Sequence, residues 1–322
     1  MKKIMITPHN PFLRSNGGEN RIYLIYQELK KDNDIILIGP KGRKEKGKDI
    51  YQLFEDKPRN KLLNLKLING LKKIIKKDKP EEIILEYPWQ GINLFLLGKR
   101  YTLDEHNIEF IRFKRTGSKI WPFIYIYEFL VCNFANKITC VSEKDKENLI
   151  KYFGLNPKKI DIIENPVDKN IFYPNNKNKK KTRKELGIKN KEKFILFFGQ
   201  LDYKPNTQAL HIIKKEILPR LGKYSLKYKI VICGKGDGKG FLKEFKHPNL
   251  IFRGFVENIA DYINASDIVI APLISGSGTR IKILEALACN KRVISTSIGS
   301  EGIKQNKFLE IEDDWEKFVE RI

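Results

Sequence analysis

The chain has 322 residues, and 41% of them are hydrophobic. That length suits two globular domains with separate cores, and that apolar content excludes a largely disordered protein. The net charge is +23, but the basic residues are spread along the chain and form no aromatic–basic module of the kind that binds nucleic acid. We attribute the charge to composition together with attraction to phosphates or to an anionic membrane surface.

The cysteines and the N-terminal segment indicate a compartment. The four cysteines form no CxxC pair and lie in apolar contexts, so we expect buried thiols in a reducing environment and no metal site. Residues 1–6 lead directly into a strand-like run and lack the apolar stretch of a signal peptide. No stretch reaches the ~18 apolar residues of a transmembrane helix. We therefore expect a cytoplasmic protein, with peripheral attachment to the inner face of the membrane left open.

Strand-like and helix-like segments alternate through the first half of the chain. Short runs rich in Ile and Val predict buried parallel strands at 3–7, 34–38, 82–86, 101–103, 138–141 and 160–163. Helical periodicity is found at 19–31, 61–77, 120–136 and 143–153. This alternation is typical of a doubly wound parallel sheet with helices on both faces.

The run Asn165-Pro166-Val167-Asp168 interrupts the alternation, and the polar stretch at 175–184 predicts a linker. A second series follows, with strands predicted at 194–198, 229–233, 250–253, 267–270, 292–296 and 308–311, and helices at 206–221, 258–264 and 279–288. We therefore predict an α/β protein with two Rossmann-like doubly wound domains, residues 1–166 and 167–322, that face each other across a cleft.

Ligands of open α/β sheets bind beyond the carboxyl ends of the strands, so motifs that follow strands are candidates for chemistry. Gly17 and Gly18 follow the first strand and open a helix, where backbone N–H groups and the helix dipole suit an anion. A tight turn that happens to use two glycines is an equal alternative. His106 follows a later strand, where an imidazole suits a substrate hydroxyl or proton transfer. A histidine that only bonds its own loop is the alternative there.

The strongest motif is the loop and helix start after the strand at 267–270. Gly278 and Thr279 belong to a Gly/Ser loop at a helix N-terminus, which is an anion-binding arrangement. Arg280 and Lys282 fall in the first helical turn, where the dipole disfavours cations, so we expect a bound anion to compensate. Glu285 is predicted to be buried on the same helix, where a carboxylate suits vicinal sugar hydroxyls. An ion pair of Glu285 with either cation, without any ligand, is the alternative.

Weaker candidates lie elsewhere in the chain. Lys204 follows the first strand of the second half and is predicted to reach a phosphate, although a solvated loop lysine is nearly as good an interpretation. The segment Gly254-Phe255-Val256 follows another strand, where backbone groups suit the edge of a nucleobase. The helices predicted at 61–77 and 120–136 are basic or aromatic enough to lie on an anionic membrane, although core-facing helices are the more common case.

Four of these segments together, 197–206, 271–273, 276–288 and 295–302, resemble glycosyltransferase family 4, group 1. The first half is similar to the family through Gly17-Gly18, Glu105-His106-Asn107 and Val141-Ser142-Glu143, and 165–168 resembles its interdomain segment. The resemblance covers nearly the whole chain and is most specific from Gly199 onward. It implies the GT-B fold, retaining transfer of a sugar from a nucleotide-sugar to a glycan, lipid or other acceptor, and no metal or other cofactor. The first domain is then expected on the acceptor side and the second to bind the donor.

The resemblance also implies roles for the candidate residues. His106 is expected to contact the transferred sugar, and Gly17 and Gly18 to face the diphosphate or the acceptor. Glu285 matches the second Glu of the family's Glu-x7-Glu motif and is expected to bind the ribose hydroxyls. Neutralising the leaving diphosphate is the main catalytic contribution, because charge builds on the departing group. The cations expected to do so are Arg280, Lys282 and Lys204.

The chain departs from the family pattern at a few positions. Ser277 occupies the place of the first motif Glu, and Gln200 and Asn206 stand where the family usually has Arg and Lys. The chain also ends soon after 315–321, where members usually add a helix that returns to the first domain. A non-catalytic nucleotide-sugar or membrane-surface binding protein is therefore a second hypothesis. Charge-driven binding of nucleic acid is a third.

Overall fold

The computed structural model describes residues 1–14, 16–41, 49–55, 62–238, 240–241 and 245–322. They form two compact units, Met1–Pro166 and Val167–Ile322. Each unit is built on one sheet of parallel strands, with helices between most successive strands. The predicted α/β architecture with two Rossmann-like sheets is confirmed.

The first unit has a seven-stranded sheet in the order β3-β2-β1-β4-β5-β6-β7. Its strands are β1 Lys2–Ile6, β2 Asp34–Lys41, β3 Ile50–Glu55, β4 Glu82–Glu86, β5 Thr102–Glu105, β6 Lys137–Cys140 and β7 Ile160–Ile162. Its helices are α1 Gly17–Asp32, α2 Leu65–Asp78, α3 Gly91–Leu96, α4 Glu109–Arg115, α5 Trp121–Phe134 and α6 Glu143–Phe153. The short elements β3, α3 and α4 were not predicted from the sequence, because their few residues show no clear period.

Both faces of this sheet are buried, which explains the near-continuous apolar runs of its strands. Ile4 and Ile6 pack in one apolar cluster, whereas Met5 packs with Leu37 in another cluster on the opposite face. Polar side chains cap the N-termini of several helices. The side chain of Asn16 accepts a hydrogen bond from the Glu19 amide at the start of α1.

The second unit has a six-stranded sheet in the order β10-β9-β8-β11-β12-β13. Its strands are β8 Lys193–Phe198, β9 Tyr228–Cys233, β10 Leu250–Gly254, β11 Ile268–Ala271, β12 Val293–Ser295 and β13 Leu309–Ile311. Its helices are α7 Lys179–Glu185, α8 Lys204–Ile212, α9 Leu218–Leu221, α10 Ile259–Ala265, α11 Ile281–Ala288 and α12 Trp315–Glu320. A π-helical turn, Ile213–Ile217, joins α8 to α9.

Strand order reverses once in each sheet, between β1 and β4 in the first and between β8 and β11 in the second. Connections leave such a switch point in opposite directions and open a crevice at the carboxyl ends of the two strands. Each of the two main candidate motifs follows a strand of a switch point. The glycine pair follows β1, and the Gly/Ser loop follows β11.

Some predicted boundaries were wrong. The helix predicted at 279–288 begins at Ile281, because Gly278 has a φ of +73° and Arg280 is an extended N-cap residue. The stretch predicted as a linker at 175–184 contains most of α7, which packs on α10 and whose buried Arg183 donates to Asp267 at 2.9 Å. Residue 61 of the helix predicted at 61–77 lies outside the described residues.

None of the helices in the described parts of the chain combines the length and the apolar character that crossing a bilayer requires.

Candidate active site

A buried hydrogen-bond network lies at the carboxyl ends of β4 and β5. His106 directly follows β5, and its Nε2 atom lies 2.6 Å from Oε2 of Glu86 and 3.2 Å from Oδ2 of Asp104. Glu86 is the last residue of β4 and is fully buried. His106, predicted from the sequence as a site residue, is thus held by carboxylates from two neighbouring strands.

The network continues to α1. Arg21 donates to both carboxylate oxygens of Asp104, at 2.9 and 2.8 Å, and also to the carbonyl of Glu164 at 3.1 Å. Thr139 donates to the same carboxylate at 2.5 Å. Asp104 is therefore fully engaged, which is the arrangement a buried charge requires.

The protonation of the network follows from burial and neighbouring charge. Burial and the nearby Asp104 carboxylate raise the pKa of Glu86 to about 7. Burial alone would lower the pKa of His106, but its hydrogen bonds to Asp104 and Glu86 outweigh burial and raise it. Burial opposes ionisation of Asp104, yet Arg21 holds the pKa of that carboxyl far below its usual range. Glu86 and His106 therefore compete for one proton near neutral pH.

Tyr87 connects this network to the glycine pair. Its ring lies 3.9 Å from the imidazole of His106, centroid to centroid, and its φ is +65°, an uncommon backbone conformation for a tyrosine. Such conformations are found at functional sites more often than elsewhere. A Cβ atom added to Gly18 would lie 2.3 Å from the Tyr87 hydroxyl. Gly18 is therefore required for this close approach, and Gly17, the other residue of the pair, is the first residue of α1.

A second group of buried acids lies behind His106 and was missed in the sequence. Glu128 on α5 accepts backbone hydrogen bonds from Glu109 at 2.6 Å and Phe110 at 2.9 Å, so it caps α4. Burial raises the pKa of Glu128 to about 8, and burial with the charge of Glu128 raises the pKa of Glu105 well above its usual value. Glu105 lies in a strand and Glu128 in a helix, each among apolar residues, so the local sequence did not indicate that the two acids cluster.

Glu86, Asp104 and His106 place one ligand atom each within 4.8 Å of one another, a spacing that admits a metal ion. The donor set does not favour that use. Both oxygens of Asp104 already accept hydrogen bonds from Arg21, and Nε2 of His106 already bonds two carboxylates. The hydrogen-bond network engages all three side chains, although the buried Oε1 atom of Glu86 has no hydrogen-bond partner among the described residues. The expectation that no metal is needed stays a prediction.

The second candidate site is the loop between β11 and α11. Gly276 and Gly278 have φ values of +100° and +73°, in the region that favours glycine. The guanidinium of Arg280 donates to the carbonyls of Ser277 and Gly278 and, at 3.4 Å, to that of Ser275. Arg280 thus closes the loop on itself.

Lys282 lies at the switch point of the second sheet. Its ammonium donates to Oδ1 of Asn206 at 2.7 Å and sits 4.6 Å from the centre of the Phe197 ring. Asn206 in turn donates to the Gln200 carbonyl at 2.8 Å, so the residues after β8 and the first turn of α11 are joined. A Cβ at Gly199 would lie 2.9 Å from the Lys282 nitrogen. Burial and the charge of Arg280 lower the pKa of Lys282 to about 7.

Glu285 lies one turn further along α11 and is buried, as predicted. Burial raises its pKa to about 8, although the charge of Lys282 opposes that rise. Its carboxylate makes no ion pair within 4 Å with a described residue, so the alternative of a ligand-free ion pair is not what the structure contains. A buried acid and a half-buried amine thus lie near each other without being paired.

The remaining candidates are more exposed. Lys204 is the first residue of α8 and is exposed. Gly254 ends β10 with a φ of +68°, and its carbonyl accepts from Gly234 at 2.7 Å. Phe255 is 70% exposed, whereas Val256 is half-buried against the core. An aromatic ring this exposed beside a strand end offers a surface on which a base can stack.

Two family models match the chain. The model described as Glycosyltransferase Family 4 matches residues 15–170, and the model described as Glycosyl transferases group 1 matches residues 192–322. The first match lies on the first unit and the second on the second unit.

Curated relatives are matched at modest identity. An uncharacterized glycosyltransferase of Methanocaldococcus jannaschii is 27% identical over 55% of this chain and 46% of its own. A UDP-Gal:alpha-D-GlcNAc-diphosphoundecaprenol alpha-1,3-galactosyltransferase of Escherichia coli is 26% identical over 63% of this chain and 54% of its own. The chain thus spans about half the length of the curated relatives that it matches.

Solved structures agree in fold. The HepE protein of Anabaena, crystallised with UDP, superposes with a TM-score of 0.76 at 14% identity and covers all of this chain and 88% of its own. At that identity the likeness establishes the fold alone, which is the GT-B fold of two parallel-sheet α/β domains. Since one domain matches each of the two family models, the chain belongs to the group 1 glycosyltransferases of family 4.

Proposed function

We propose that this protein is a retaining glycosyltransferase that transfers a sugar from a nucleotide-sugar donor to a glycan or lipid-linked acceptor. The family membership supports this proposal. It is also supported by a relative named as a UDP-galactose-dependent transferase and by a structural neighbour that was crystallised with UDP. The observation that carries the proposal is the position of Lys282. An amine of lowered pKa lies at the switch point of the second sheet, next to a glycine loop at a helix N-terminus.

In the proposed donor site, each group of residues contacts one part of the nucleotide-sugar. The loop at Gly276 and Gly278 and the amides at the start of α11 face the diphosphate. Lys282 regains its proton when the anion arrives and neutralises it. Glu285 accepts hydrogen bonds from the ribose hydroxyls, and Phe255 stacks on the base. Lys204 is exposed at the start of α8 and adds a further positive charge toward the phosphates.

Arg280 has a structural part in this proposal. Its hydrogen bonds to the carbonyls of Ser275, Ser277 and Gly278 hold the loop in the conformation that an anion needs. Its charge adds to the potential that lowers the pKa of Lys282. We therefore expect Arg280→Ala to lower turnover through both effects.

In the first unit, His106 contacts the transferred sugar. Its imidazole is held by Glu86 and Asp104 and lies against the ring of Tyr87. The bond from the sugar carbon to the diphosphate oxygen breaks and a bond from that carbon to the acceptor oxygen forms, with retained configuration. The proton of the acceptor hydroxyl passes to the departing diphosphate. Charge accumulates on the diphosphate, so the fixed cations of the second unit supply the main stabilisation. No metal ion is included in this mechanism.

The second candidate is a non-catalytic protein that binds a nucleotide-sugar. It is favoured by Ser277 in place of a motif Glu and by the guanidinium of Arg280, which is directed at its own loop. Transfer or hydrolysis of a nucleotide-sugar donor would distinguish the transferase from the non-catalytic binding protein.

The acceptor class also leads us to propose that the protein associates peripherally with an anionic membrane.

Thermal-shift screening with UDP-, GDP- and ADP-sugars tests the donor site, followed by product analysis with the sugar that stabilises most. We expect one nucleotide class to raise Tm, and Lys282→Met to abolish that rise. Lys307→Met, which removes an exposed lysine of the same unit, is the matched control. If none of the nucleotide-sugars raises Tm, the proposed donor site is wrong. If one binds but no product forms, the non-catalytic alternative stands.

A further inference from the structure

An apolar face of the first unit is exposed. Phe123, Ile126 and Leu130 of α5 follow one another at helical spacing and are 71%, 57% and 56% exposed. Three more large apolar side chains are about half exposed nearby in sequence or structure. Together these six residues form what we name the apolar face: Phe95, Leu96, Ile120, Phe123, Ile126 and Leu130.

Packing of α3 against α5 makes this face continuous. The ring of Phe95 lies 4.8 Å from that of Phe134, centroid to centroid, one turn beyond Leu130. The hydroxyl of Tyr127 donates to the carbonyls of Pro88 and Trp89, directly before α3. The residues of α3 are therefore fixed beside the exposed stripe of α5.

The apolar face is distinct from the side of α5 that packs in the core. On its opposite side α5 buries Ile124, Val131 and Cys132 in the main apolar cluster of the unit. A helix that is apolar all round is normally covered on all sides. Exposed apolar patches of several large side chains mark contact with a protein or a membrane.

Charge around the face has one sign. Every exposed charged residue between Pro88 and Asn136 is basic. The acids in that stretch are buried, including Glu128, the only charged residue of α5. Two of the cations lie over aromatic rings at opposite ends of α5: Arg100 is 4.4 Å from the centre of Phe134 and Lys114 is 4.8 Å from that of Trp121. The exposed basic residues are Lys99, Arg100, Lys114, Arg115 and Lys119.

We infer that the apolar face is the surface through which this protein lies on an anionic bilayer. Apolar side chains surrounded by lysine and arginine suit the boundary between acyl chains and anionic headgroups. A second copy of the chain is disfavoured as the occupant, because both copies would present the same positive rim. The inference rests on the peripheral association proposed above, but not on the transfer chemistry.

The structure also changes which helix carries the membrane hypothesis. The basic amphipathic helix predicted at 61–77 buries Leu67, Leu71 and Ile74 in the core of the unit, and its exposed leucines lie only at its start, at Leu62, Leu63 and Leu65. Its lysines are thus the solvated side of a core-facing helix. The aromatic helix predicted at 120–136 is the one whose apolar residues remain exposed.

Vesicle flotation of the full chain tests the inference, with phosphatidylcholine vesicles that contain or lack phosphatidylglycerol. We expect binding to the anionic vesicles that weakens at high salt. The double variant Phe123→Ser/Leu130→Ser should bind at least about tenfold less, because two inserted side chains are lost. Its control is Ile171→Ser/Ile311→Ser, which removes two exposed apolar side chains, 40% and 49% exposed, from the second unit. A Lys99→Gln/Lys119→Gln variant should reduce binding to anionic vesicles only.

Fluorescence gives an independent measurement on the same samples. The chain has three tryptophans, and Trp121 begins α5. Anionic vesicles should shift the emission to shorter wavelength, and Trp121→Phe should remove most of that shift. The melting temperature and the response to nucleotide-sugars, measured for each variant, separate loss of this surface from misfolding and from failure of the donor site.

Two results would overturn the inference. One is the absence of binding to anionic vesicles at low salt, and the other is binding that survives in the Phe123→Ser/Leu130→Ser variant. Self-association that this double variant abolishes, without vesicle binding by the unchanged chain, would assign the face to a second copy instead.

Discussion

The Nε2 atom of His106 lies 2.6 Å from a carboxylate oxygen of Glu86, and both side chains are buried. The two residues come from neighbouring strands, and the second carboxylate in reach, that of Asp104, is held ionised by Arg21. The Glu86–His106 pair is therefore the part of the network that exchanges a proton near neutral pH. The protonation of this pair sets the charge next to the ring of Tyr87, which lies 3.9 Å from the imidazole, centroid to centroid.

Replacing Glu86 by Gln should lower the pKa of His106, because one of its two carboxylate partners is lost. The folded pKa values of both residues are raised, so the pair stabilises the fold at low pH and loses that contribution as pH rises. The variant should therefore show a flatter dependence of Tm on pH between about 5 and 8. NMR titration of the four ¹⁵N-labelled histidines measures the shift directly.

The control for this variant is Glu82→Gln, at the other end of the same strand, where the carboxylate bonds Lys3 and Thr102. It should leave the His106 titration unchanged. An unchanged titration in Glu86→Gln would contradict the shared proton, whatever the effect on activity.

The contact between Gly18 and Tyr87 gives a second prediction. Gly18→Ala places a Cβ 2.3 Å from the Tyr87 hydroxyl, and the stacked tyrosine has little room to move. We expect a loss of about 1–3 kcal/mol in the free energy of unfolding. Tyr87→Phe removes the hydroxyl, so the double variant should recover most of that loss. Denaturant unfolding of all four proteins measures the coupling, and additive losses would contradict the contact.

The sequence was sufficient to predict the architecture and to single out the loop and helix start after β11 as a candidate site. Alternating apolar runs specify parallel strands, and ligands of such sheets bind beyond strand ends, so Lys282 and Glu285 could be located before the structure was known. Their altered pKa values required the structure, because burial depends on contacts such as that of Lys282 with Asn206, 76 positions away in the chain.

The network around His106 was only partly predictable. His106 was recognised because it follows a strand, but Glu86 and Arg21 lie in an apolar strand and an amphipathic helix, where each looks like an ordinary surface residue. They meet His106 and Asp104 only because β4 pairs with β5 and α1 covers the sheet. Long-range pairing of this kind leaves no periodic signal in the local sequence.

Removing divalent metal should leave the protein unaffected. The only described cluster that could admit an ion is Glu86, Asp104 and His106, and both oxygens of Asp104 and the Nε2 atom of His106 are already engaged in hydrogen bonds. Treatment with EDTA should therefore change neither Tm nor nucleotide-sugar binding. Loss of binding on chelation, restored by added magnesium or manganese, would contradict the metal-independent mechanism.

Donor affinity should depend on the protonation of Lys282. Its pKa is about 7 in the ligand-free structure, and a bound diphosphate favours the charged form, so binding takes up a proton above that pH. Affinity for the nucleotide diphosphate should fall as pH rises from 7 to 9, by at most about tenfold per pH unit. Calorimetric titration in buffers of different ionisation enthalpy measures the proton uptake. Lys282→Arg stays charged over this range and should therefore bind the nucleotide diphosphate with a flatter pH profile.

Glu285 should lower the stability of the fold at high pH and at the same time strengthen binding of the nucleotide-sugar. Burial raises its folded pKa to about 8, so its contribution to stability is lost as pH rises through that value. Glu285→Gln stays neutral, and at pH 9 it should be more stable than the unchanged protein by on the order of 1–3 kcal/mol, with a smaller gap at pH 6. The same variant should bind the nucleotide-sugar about tenfold more weakly, because an amide accepts fewer hydrogen bonds from two hydroxyls than a carboxylate does. Weaker binding without the gain in stability would place Glu285 in a solvated site, and a gain in stability with unchanged binding would remove it from the donor contacts.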